Sequence, residues 1–180
     1  MKRRCLCGTI RAIQMKQAKY YLIIGFFFTS VLGTLSHFLY DWTGRGAVVA
    51  LFCPVNESTW EHMKLLFFPM MLWFLFMSEQ LRETHPPLPA AYMAGNLAGT
   101  LSIPVLFYTY SGILGRNIAA ADIAIFFICT FLAFRTTWIL KDSEYIYRRR
   151  LMIYILTGLI TLMFFIFTFF PPGIGLFAEP

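Results

Sequence analysis

The sequence predicts an all-α polytopic membrane protein: a bundle of five transmembrane helices, with a short re-entrant or interfacial segment after the first. Three observations lead there. The 180 residues are 58% hydrophobic and only 13% charged, with a mean hydropathy of +0.65. A soluble domain carries about 25% charged residues and could not hide so much apolar surface, so lipid must solvate much of this chain. Five apolar runs reach the ~20 residues that a helix needs to cross a bilayer. Lys and Arg are concentrated in one set of loops, as in membrane proteins with a fixed orientation.

The elements follow in order. Residues 1–19 form a basic segment with Lys2, Arg3, Arg4, Arg11, Lys16 and Lys19. Translation from Met15 would also give a good membrane-protein start, "MKQAKYYLIIGFFF". No small-x-small cleavage site precedes His37, so the first apolar run is read as a retained span and not as a signal peptide. A single membrane domain, 20–171, holds spans at about 20–40, 58–77, 89–110, 118–140 and 151–171. Gly46–Val55 is apolar but too short to cross, which makes it the re-entrant or interfacial segment. Residues 172–180 form a short tail. Pro69 and Pro104 should kink their spans, and the fifth span, with Tyr154 and threonines for polarity, reads as scaffold.

Twelve basic residues fall on one side: the six before span one, Arg82, Arg135, Lys141 and Arg148–Arg150. Arg45, Lys64 and Arg116 fall on the other. The N-terminus is therefore expected in the cytoplasm and the C-terminus outside, in the cell membrane. "YRRRL" abuts a span and would face anionic headgroups, so the partner is the bilayer and not nucleic acid. Cys5 and Cys7 lie in the basic segment, and Cys53 and Cys129 lie near apolar runs. They suggest free thiols or acylation targets, not a disulfide framework or a metal set.

One stretch departs from this pattern: "CPVNESTWEHMK", Cys53–Lys64. The topology places it at the outer face, with His37 and Asp41 at the end of span one and Asp122 at the start of span four. In span one, Ser30, Gly33, Thr34, His37 and Asp41 share a helical face that should look into the bundle. Two readings compete. The first is a folding device: Ser58 and Glu61 as a capping box, Asn56 as an alternative cap, Lys64 pairing with Glu61 or snorkelling, and Trp60 in an interfacial aromatic belt. The second is a shared site. His37, Asp41, Glu57 and His62 would be the ligands of a divalent cation, with Asn56, Ser58, Glu61 and Asp122 around them. Imidazole with carboxylate suits zinc, and carboxylate-rich sets suit calcium or manganese. His37 and Asp41, one turn apart, could equally handle a proton. Asp122 joins this cluster or simply sits among headgroups. His85 is expected in an inner loop, far away.

In span three, Ala91, Gly95 and Gly99 form a small-residue stripe for close helix packing, and Asn96 beside them should bond to a neighbouring helix.

"HFLYDWTG" followed by "ALFCPVNESTWEHMKLLFFP" resembles a family of bacterial integral membrane proteins known as a domain of unknown function, number 6512. The resemblance runs from about Tyr20 to the end and is concentrated in His37–Pro69. It implies a membrane fold and no particular activity. That family usually reads Tyr-Glu-Trp after the His; Tyr40, Asp41 and Trp42 keep the acid. Alkaline-ceramidase-like membrane hydrolases share a Ser-x-x-x-His pair, matched by Ser58 and His62. They also need a His-x-x-x-His and seven spans, which a chain with three His and five spans does not supply. Three functional classes fit: a membrane binding or structural component, as a homo-oligomer or within a larger assembly; a small ion- or proton-coupled transporter; or a metal-dependent membrane hydrolase.

Overall fold

A computed structural model of the chain describes the backbone of residues 2–81, 83 and 85–179, and the side chains of 16–79, 81, 83 and 85–179. Met1 and the side chains of Met15, Cys5, Cys7, Lys2, Arg3, Arg4, Arg11 and Arg82 lie outside the described residues, and with them the choice of start and much of the basic segment's charge.

The described chain is helical, without strands. Its elements are α1 (Lys2–Trp42), α2 (Ala47–Phe52), α3 (Thr59–Leu81), α4 (Leu88–Leu114), α5 (Ala119–Leu140), α6 (Glu144–Arg148), α7 (Arg150–Phe169) and a 3₁₀ turn at Gly175–Phe177. α1, 41 residues long, begins at Lys2 and runs through the basic segment into the first apolar run. The short α6 was not anticipated; Ser143 caps it, its hydroxyl accepting from the Ile146 N–H at 3.4 Å.

Four helical stretches are long and apolar enough to cross a membrane: Lys16–Trp42, Leu88–Leu114, Ala119–Leu140 and Arg150–Phe169. The expected second span, α3, has 23 residues but is not among them. Its first turns carry Glu61, His62 and Lys64, and Glu79 lies near its end. The physical reason is position. α3 packs against α1, α4, α5, α7 and the terminal turn. From Ser58 to Met70 only His62 and Phe68 are not fully buried. Covered by protein over this first half, the helix is freed there from the apolar composition that lipid demands, while Leu72, Leu75 and Phe76 in its second half are exposed.

Small residues set the helix approaches. A Cβ on Gly95 would collide with the Ala133 carbonyl and Thr137, and one on Gly99 with Ala133 and the Cys129 carbonyl. Ala91 is fully buried on the same helix. Asn96 donates from Nδ2 to the Phe67 carbonyl of α3 at 3.2 Å, and Thr100 donates to Asn96 Oδ1 at 3.3 Å. α1 meets α3 at Gly33, where a Cβ would strike the Leu65 carbonyl. Pro69, having no N–H, leaves that carbonyl without its helical partner.

The buried face of α1 runs through Thr29, Ser30, Gly33 and Ser36. The expected stripe departs from it: Thr34 and Asp41 are exposed and His37 is half-buried. At the opposite end of the bundle, His85 is buried in the α3–α4 turn, with Nδ1 3.9 Å from Asp142, which also binds Lys141.

Candidate functional site

The polar stretch between α2 and α3 divides into two sets of partners. In the first, the Ser58 N–H donates to Asn56 Oδ1 at 3.0 Å, and the Glu61 N–H to the Ser58 hydroxyl at 3.4 Å. The capping box is only half made. Glu61 does not return to the Ser58 N–H, which Asn56 already holds. Its Oε2 accepts instead from the Val55 N–H at 3.1 Å and from Lys64 Nζ at 2.6 Å.

Lys64 does not snorkel. It is fully buried and uses its ammonium on Glu61, on the Ala50 carbonyl at 2.9 Å and on the Thr168 hydroxyl at 2.5 Å. Ala50 O belongs to the last turn of α2, where helix-end carbonyls run out of helical donors, so a cation there is well placed. Thr168 makes α7 more than scaffold: it ties the fifth apolar run to Lys64 and Glu61 in the first turns of α3. Trp60 is likewise internal and not in a surface belt, 4.7 Å from Phe164 and 5.0 Å from Phe177 between ring centroids. Burial pushes the Cys53 thiol up, against the pull of Lys64, which makes it a packed and unreactive thiol.

The second set is open. His37, Glu57 and His62 come from α1, the loop and α3. One ligand atom from each lies within 4.8 Å of the others. His62 Nε2 is 3.3 Å from Glu57 Oε2, and His37 Nε2 is 3.8 Å from Glu57 Oε1. The two imidazoles lie 5.3 Å apart between centroids. The tautomer of His62 follows from its other nitrogen. Nδ1 is 3.0 Å from the Ser58 carbonyl, which can only accept, so Nδ1 carries the hydrogen. In the neutral ring Nε2 is then a lone pair facing a carboxylate oxygen. Two acceptors at that distance repel unless a proton or a metal cation stands between them. A backbone carbonyl that orients the ring from behind is the usual second partner of a metal-bound histidine.

Asp41 is not brought into this set. Gly44 (φ +75°) and Arg45 (φ +62°) reverse the chain after α1 and deliver Arg45 Nε to Asp41 Oδ1 at 2.8 Å, as an exposed pair. Asp122 sits on the wall of a cavity of about 400 Å³ that also meets His37, Glu57 and His62. It is bonded to the Tyr110 hydroxyl, which in turn accepts from the Ile118 N–H at 3.2 Å. Tyr110 carried no signal in the sequence, since a tyrosine near a helix end reads as an interfacial aromatic. The rest of this cavity is mostly apolar, with Leu65, Ile103 and Phe126 among its walls. A second cavity, about 520 Å³, lies between α1 and α5 toward the other end, with Lys19 and Arg135 as its charged groups.

Four apolar helices of bilayer length, with a polar site at one end of the bundle, fit a multi-pass membrane protein. The chain belongs to a family of unknown function, DUF6512, whose profile matches residues 10–180. No curated protein and no solved structure shows a significant match to it.

Proposed function

We propose that this is a five-span membrane protein that binds a divalent cation, zinc by its donor chemistry, at the outer end of the bundle. His37, Glu57 and His62 would be the ligands, and all three line the 400 Å³ cavity. The observation that carries the reading is the orientation of His62, whose Nε2 faces Glu57 while Nδ1 is committed to Ser58. Two imidazoles and one carboxylate with an open fourth place form the donor pattern of a working zinc site; structural sites close all four. α3 is the fifth span, its Glu61 and Lys64 buried within the protein and its Glu79 exposed near its far end. The bias of Lys and Arg supports an N-terminus in the cytoplasm and a C-terminus outside, in the cell membrane.

The primary role is binding. Metal-assisted hydrolysis is the second reading, favoured because the three candidate ligands line a cavity that could hold a substrate beside a metal-activated water.

Elemental analysis of protein purified without chelator tests the first statement. Equimolar zinc is expected in the wild type, with strong loss in His37→Ala and His62→Ala. Background zinc in the wild type, with none taken up on addition, would refute it. A reporter fused after Pro180 tests the orientation: an extracytoplasmic signal is expected, and a cytoplasmic one reverses the assignment of the site to the outer face.

A further inference from the structure

The cavity beside the three ligand atoms opens sideways. Phe38 on α1 and Ile123 and Phe127 on α5 all line it. Yet their own exposures are 48%, 61% and 41%. A residue that both lines a cavity and is widely exposed stands at its rim, so one mouth, edged by these apolar side chains, lies between α1 and α5. Glu57 and Ala119 line the cavity and are exposed as well, and they mark a second opening at its polar end. Below the mouth, Phe126 packs against the backbone of α1 at Gly33, where a Cβ would strike its ring.

The polar groups collect at one end of the chamber: His37, Glu57 and His62, with Asp122 on the wall. Asp122 is already engaged by the Tyr110 hydroxyl. A polar head, an apolar body and a lateral apolar mouth together match the form of an amphiphile lying in a leaflet. A divalent cation held by one carboxylate and two neutral imidazoles keeps net positive charge, so the group it draws carries an anionic oxygen. A volume of about 400 Å³ is low in the range of about 300–1,000 Å³ for small-ligand pockets, which suits one alkyl chain.

We infer that the site takes a single-chain anionic amphiphile, with a carboxylate or phosphate head, that enters from the lipid between α1 and α5 and sets its head oxygen on the cation. This rests on the cation reading above. The test uses the full chain in phosphatidylcholine nanodiscs, either loaded with zinc or stripped by chelator. Three diazirine-bearing probes are photolysed in parallel: a fatty acid, a lysophosphatidic acid and the matching neutral fatty alcohol. Adducts are mapped by mass spectrometry, and zinc is measured on the same samples.

With zinc, at least one of the two anionic probes should label Leu65, Ile103 or Phe126 several-fold more than the alcohol does, and which one does so identifies the head. Chelation and Glu57→Gln should each remove that excess. Ile123→Trp, at the mouth, should lower interior labelling with zinc content unchanged, and Ile123→Val should keep it. Normal zinc content with equal labelling by anions and alcohol overturns the amphiphile and leaves the cation site standing. Excess anion labelling that survives stripping overturns the placement of the head on the cation. Absence of zinc under every condition removes the cation reading and this inference together.

Discussion

Glu57, in the loop before α3, and Glu61, in the first turn of α3, are four residues apart, yet they belong to different kinds of site. Glu61 is buried, and its carboxylate is met by Lys64 and the Val55 N–H; every partner is supplied by the chain. Glu57 is 64% exposed in its side chain and faces two imidazole nitrogens. One of these is a lone pair in the neutral ring by the tautomer argument, so a proton or a metal cation is needed between it and the carboxylate. Identical chemistry four residues apart thus gives a closed structural tie and an open cluster that could hold a metal ion. What separates them is whether the protein itself provides the positive charge.

The largest effect should come from opening the closed set. Lys64→Ala leaves Glu61 buried without its cation and should cost about 3–5 kcal/mol of stability, read by unfolding in detergent. Unfolding unchanged from wild type would mean that the pair does not tie α2, α3 and α7 together. Next, Gly95→Leu forces a side chain against Ala133 and Thr137 and should cost about 1–3 kcal/mol. An unaltered melting temperature would place that face of α4 against lipid.

Glu57→Gln sharpens the comparison from the other side. As a change at an exposed position, it should alter metal-free stability by no more than about 0.5 kcal/mol. A large metal-free loss would show that Glu57 is a structural group like Glu61. The smallest effect belongs to Asp41→Asn, which breaks only the surface pair with Arg45. It should leave both melting and zinc content unchanged; lowered zinc would return Asp41 to the ligand set.

Much of this arrangement is legible in the sequence, for identifiable reasons. Apolar runs mark the helices because lipid imposes a length and a composition. The Gly95–Gly99 stripe shows where α4 meets α5 because only small residues let backbones approach so closely. The nearness of His37 to Glu57 and His62 follows from shared depth, whereas the polar stripe of α1 also pointed to Asp41, which turns to Arg45.

Other features depend on contacts that no local pattern encodes. Thr168 reaches Lys64 across 104 positions, and a threonine in an apolar run carries no mark of that role. Tyr110 meets Asp122 only because α4 and α5 turn back on each other. The capping-box pattern at Ser58 and Glu61 misled by half, since Asn56 took the N–H that Glu61 would have used. Asp41 shares a helical face with His37, but the left-handed turn at Gly44 and Arg45 gave it a nearer partner.

The most direct measurement is a zinc titration of chelator-stripped protein, followed by thermal unfolding, with wild type and Glu57→Gln side by side. Zinc at about 100 times its Kd should stabilise the wild type by about 2.7 kcal/mol. The same concentration should give Glu57→Gln markedly less, and protons should compete with zinc as the pH falls, because the metal needs the same imidazole nitrogens. Equal stabilisation of both proteins, or none of either, would contradict the assignment of His37, Glu57 and His62 as a cation site.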